Sequence, residues 1–77
     1  MGGKYLPLYH EALLRLEQTP LPDYIAYDFP VFNQCKYAID CIRRWSARDK
    51  VDVELKFRSN KNGSASLFIR RGPDYKK

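Results

Sequence analysis

The sequence predicts an α+β fold, a two-layer sandwich in the order α-β-α-β-β. A small antiparallel three-stranded sheet packs on one main helix. Two observations carry this. Apolar residues recur at steps of three and four over residues 32–47, and the period then drops to two over residues 51–58. An aromatic, β-branched stretch before the long helix supplies the third strand.

In chain order, the first helix is predicted from Pro7 to Glu17. Pro7 suits a first turn, and Leu8, Ala12 and Leu16 with Tyr5, Tyr9 and Leu13 form an apolar stripe. Pro20 and Pro22 stop it. Asp23–Phe29 reads as a short strand with Ile25, Tyr27 and Phe29 on one face, closed by Pro30. In the second helix Phe32, Cys35, Ala38, Ile39, Ile42 and Trp45 line the core side, opposite Lys36, Asp40, Arg43 and Arg44, with Pro30 expected in the first turn. Val51–Arg58 alternates apolar with charged residues, as a strand covered on one face does. Ser59–Gly63 is the turn, with Asn62-Gly63 expected as its pivot. Ser64–Arg71 returns, with Ala65, Leu67 and Ile69 inward and Ser66, Phe68 and Arg70 on the face carrying Lys56 and Arg58, and Gly72-Pro73 ends it.

The expected core is Leu8, Leu13, Leu16, Ile25, Tyr27, Phe29, Phe32, Ile39, Ile42, Trp45, Val51, Val53, Leu55, Phe57, Leu67 and Ile69. With 77 residues there is material for one domain, residues 1–77, with tails at 1–4 and 72–77. Apolar residues make up 44% and aromatic residues 14%, which excludes a disordered polyampholyte. The longest apolar run falls far short of a membrane span, and no signal-type apolar region follows Met1-Gly2-Gly3-Lys4, so a soluble, cytoplasmic protein is expected.

Cys35 and Cys41 lie on one helix about 240° apart, so they cannot pair with each other, and lone thiols fit a reducing cytosol. His10 is the only histidine, far from both cysteines in sequence, and is expected in solvent on the first helix. No metal site, cofactor, catalytic set or small-molecule substrate is expected. The four glycines sit in tails and turns rather than in a phosphate-cradling loop, and Asp52 and Glu54 share their strand face with Lys56 and Arg58.

Charge is the feature that points to a function. The chain carries a net +5, yet residues 1–30 hold two basic and four acidic side chains while residues 31–77 hold twelve and five. Arg43, Arg44, Arg48, Lys56, Arg58, Lys61, Arg70 and Arg71 are candidate phosphate contacts, with Arg70 and Arg71 placed on the hairpin's outer face or tip. Phe68, facing outward, is a candidate stacking ring. A non-enzymatic, weakly sequence-specific nucleic-acid binder is the expected function. Against a duplex reader stand Asp40 on the outer side of the second helix and the absence of helix-turn-helix or zinc spacing. Against a single-strand reader stands the absence of paired sheet aromatics.

The alternative is a protein-interaction module or a homodimer, with Tyr37, Phe68 and an exposed edge of the last strand as its interface. Phe29-Pro30 to Trp45 together with the alternating hairpin and Ser64–Gly72, about half the chain, resembles a pattern in small uncharacterised bacteriophage-encoded proteins. The resemblance implies a small accessory protein that binds nucleic acid or a host factor, and it carries over no functional residue.

Overall fold

A computed structural model describes residues 4–20 and 22–75. The elements are α1 (Leu6–Leu16), β1 (Ile25–Phe29), α2 (Phe32–Asp49), β2 (Val53–Ser59) and β3 (Ala65–Arg71), the expected α-β-α-β-β order. The sheet order is β1-β3-β2 and both pairings are antiparallel. The last strand is therefore central. Its expected free edge is occupied on both sides, which removes it as a docking edge.

Both helices lie on the same side of the sheet. β1 and β3 send Ile25, Phe29, Ala65, Leu67 and Ile69 inward, where Tyr9, Ala12 and Leu16 of α1 and Cys35, Ala38, Ile39, Cys41 and Ile42 of α2 bury with them, and Val53 and Leu55 of β2 are partly buried beside them. Tyr9, Ala12, Cys35, Ala38 and Cys41 are core residues that the expected list lacks. Small side chains on α2 let its backbone approach the sheet closely, and Tyr9 is the largest side chain that is almost completely buried. Phe57, expected inside, is 54% exposed. Its parity is inward, but β2 is an edge strand and only the first turn of α2 borders its far end. There its ring meets Phe32, with centroids 5.5 Å apart.

Several local details follow from hydrogen-bond supply. Val31, in extended conformation, is the N-cap of α2, so Pro30 lies just outside the first turn rather than in it. No side chain caps this end, but the Phe32 N–H donates to the Gly63 carbonyl of the β2–β3 loop, which meets one otherwise unpartnered donor. At the other end Lys50 takes the left-handed conformation at φ 58°, and the Val51 N–H donates to the Ser46 carbonyl. The hairpin loop turns through Lys61 and Asn62, with Gly63 at φ 92° closing it. Asn62 keeps negative φ, so Asn62-Gly63 is not the two-residue pivot expected. A three-to-five-residue loop needs only its last position left-handed.

The segment after β3, expected as tail, folds back. The Gly72 N–H donates to the Asp52 carbonyl, Asp74 N–H donates to Asp52 Oδ2 at 2.7 Å, and Tyr75 packs against the core. Residues 76 and 77 lie outside the described residues. Among the described residues no helix is long and apolar enough to cross a membrane.

Candidate nucleic-acid interface

The face of the sheet turned away from the helices carries the even-numbered residues. Register sets Glu54 opposite Arg70, Phe68 between Lys56 and Ala26, and Ser66 between Arg58 and Asp28. Ser66, Phe68 and Arg70 thus share a face with Lys56 and Arg58, as the alternation predicts. Ala26 is the smallest side chain in this array. The space beside it admits Tyr24, which stands one residue before β1, and the Tyr24 ring meets Phe68 edge-on with centroids 6.3 Å apart and planes at 81°.

The cations gather on these two rings. The Arg70 guanidinium lies 5.0 Å and the Lys56 ammonium 5.5 Å from the Tyr24 centroid, and the Arg58 guanidinium lies 5.8 Å from Phe68. Arg70 also donates from Nε to Glu54 at 2.8 Å, and that carboxylate raises the already high guanidinium pKa. Its role is therefore to hold Tyr24 in place, with its charge spent on Glu54. Asp28 is occupied by the Ser66 hydroxyl at 2.7 Å. Lys56 and Arg58 have no carboxylate within ion-pair distance among the described residues.

The other candidate residues are dispersed. Lys61 is exposed in the hairpin loop, beyond the paired ends of β2 and β3. Arg43 lines a groove of about 450 Å³ between α2 and β2, with Lys36, Ile39, Asp40, Leu55, Lys56 and Phe57. Arg44 is exposed on α2, as is Tyr37 at 55%, whose ring meets Tyr5 edge-on at 5.7 Å. Arg48 is paired with its neighbour Asp49, whose carboxyl is held below its ordinary range by that contact first and by the Tyr9 hydroxyl second.

Arg71 is not on the outer face. Its odd position gives it inward parity, beside Val53, and at the end of the sheet its guanidinium donates to the Leu16 and Glu17 carbonyls at 2.8 and 2.9 Å. A cation there suits the partial negative charge at the C-terminus of α1. This is a structural contact between elements 55 residues apart in sequence.

The chain matches no family model, no curated protein and no solved structure. The site rests on its own geometry. Tyr24 is the residue that the sequence reading missed, because it lies outside the alternating hairpin. Its signal was parity with Ala26 and Asp28, which continues the outward face of β1 by one step. No group of three or more His, Cys, Asp or Glu side chains comes together among the described residues, so what this face offers is flat aromatic surface and unpaired positive charge.

Proposed function

We propose that the protein binds single-stranded nucleic acid across the open face of its sheet, with little sequence specificity and without catalysis. The observation that carries this reading is the Tyr24–Phe68 ring pair with Lys56, Arg58 and Arg70 ranged over it. Every base has a face that can stack on an aromatic ring, so such a platform favours unpaired bases without selecting among them. Lys56, Arg58 and Lys61 meet the phosphates of the same strand, while Arg70 keeps Tyr24 upright. Two unpaired, buried thiols, Cys35 and Cys41, suit the reducing cytosol in which this binding would occur.

Fluorescence anisotropy against mixed-sequence single-stranded and duplex oligonucleotides at two salt concentrations tests it. Three phosphate contacts give a log–log salt slope of about −2 on single strands, so affinity should fall roughly twentyfold between about 50 and 200 mM salt. Single strands should bind more tightly than duplexes. No binding at the lower salt, or a preference for duplex, overturns the reading.

A further inference from the structure

β2 is an edge strand, and its pairing with β3 decides which of its backbone groups are free. At its two ends the bonds to the β3 side are made by even residues: the Gly72 N–H donates to the Asp52 carbonyl, and the Asn60 N–H donates to the Ser64 carbonyl. Antiparallel ladders alternate, so Val53, Leu55, Phe57 and Ser59 turn their N–H and C=O groups to the open side. On that side Phe57 is more than half exposed and α2 leaves the groove above Leu55 uncovered.

We infer that this edge pairs with the same edge of a second copy, antiparallel about a two-fold axis at Leu55, to make a continuous six-stranded sheet. Charge singles out the register. With the axis at Leu55, Glu54 stands opposite the partner's Lys56, Asp52 opposite the partner's Arg58, and Val53 opposite the partner's Phe57. Moving the axis to Glu54 or Lys56 sets that residue against its own twin, and moving it to Phe57 sets Lys56 against the partner's Arg58. Each is a like-charge pair directly across the strands. Odd residues face odd residues in the Leu55 register, so the free groups of Val53, Leu55 and Phe57 form about six main-chain bonds between copies. Phe57, which Phe32 of its own α2 covers only in part, gains further cover from the partner's Val53. The Lys and Glu that protect an isolated edge against indiscriminate pairing here admit one pairing. The two Tyr24–Phe68 pairs then lie on one continuous outer face.

Sedimentation equilibrium of the full chain, without nucleic acid, over micromolar to millimolar concentrations tests this independently of the proposed binding. The native chain should reach twice the 9.1 kDa of one chain. Lys56→Glu sets two carboxylates opposite each other and should weaken association at least tenfold. Glu54→Lys does the same with two ammonium groups. The double variant restores opposite charges and should dimerise again, with circular dichroism checking that each variant is folded. A native chain that stays monomeric throughout overturns the proposal. So does a folded double variant that stays monomeric, or a Lys56→Glu chain that dimerises as the native one does, since either excludes the Leu55 register.

Discussion

The Tyr9 hydroxyl donates to Asp49 Oδ2 at 2.7 Å, joining the middle of α1 to the last residue of α2 across forty positions of sequence. The phenol body is buried against Trp45, centroids 5.5 Å apart, while its hydroxyl reaches the exposed end of α2. Burial first, and the Asp49 bond second, raise the Tyr9 pKa far above the ordinary 10.0. A raised folded pKa means that the folded protein keeps a proton that the unfolded chain gives up. The stability from Tyr9 is complete below the ordinary phenol value and is lost as pH climbs from there toward the folded value. Tyr9→Phe should cost about 1–2 kcal/mol at neutral pH and flatten the alkaline fall in stability. Urea unfolding at neutral pH and across the alkaline range checks this, and an unchanged alkaline limb in the variant refutes it. Asp49 has the opposite sign: its lowered pKa gives stability above the ordinary carboxylate range that is lost as pH falls through the folded value.

Arg71 and Arg58 separate structure from binding. Arg71→Gln removes two bonds to the end of α1 and should lower stability by about 1–2 kcal/mol, leaving the salt dependence of nucleic-acid affinity unchanged. Arg58→Gln, at an exposed position, should leave the melting temperature near native and reduce the magnitude of the single-strand salt slope by about 0.7. Thermal melts and salt titrations of both variants read the difference. A reduced salt slope in Arg71→Gln contradicts the assignment.

Removing a ring from the outer face should weaken single-strand binding without unfolding the chain. Phe68→Leu and Tyr24→Leu are each expected to cost about 1–3 kcal/mol, roughly five- to 150-fold in affinity. The two should not add fully, because the rings support each other edge-on. Native affinity in the double variant removes the stacking platform from the explanation.

Gly72 is buried where its chain passes Asp52, and a Cβ built on it falls well inside van der Waals contact of the Asp52 carboxyl. That carboxyl is held by the Asp74 N–H and cannot swing away freely. Gly72→Ala should destabilise by about 1–3 kcal/mol, the usual cost of forcing an extra methyl into packed surroundings. Most of that cost should disappear in an Asp52→Ala background, where the obstacle is gone. Denaturant midpoints of the two single variants and the double variant decide it.

Periodicity carried most of the architecture. Steps of three and four between Phe32 and Trp45 place Cys35, Ala38, Ile39 and Ile42 on one side of α2, and strict alternation over Val53–Arg58 sets Lys56 and Arg58 outward, because each pattern is a local property of one element's geometry. The candidate site was half legible for the same reason: Lys56, Arg58, Phe68 and Arg70 share one parity within a hairpin.

By itself, then, the sequence determined the five elements, their order and the outward face of the hairpin. Which strand is central, and so which edge is open, only the tertiary structure decided. β1 and β2 each carry an apolar face that could take either flank, and the choice depends on how α1 and α2 share one layer. The same long-range packing brings Tyr24 against Phe68, turns Arg71 from a surface cation into a contact for α1, and leaves Phe57 uncovered at the rim. Each of these outcomes joins residues more than ten positions apart, where the repeat of a helix or strand holds no information.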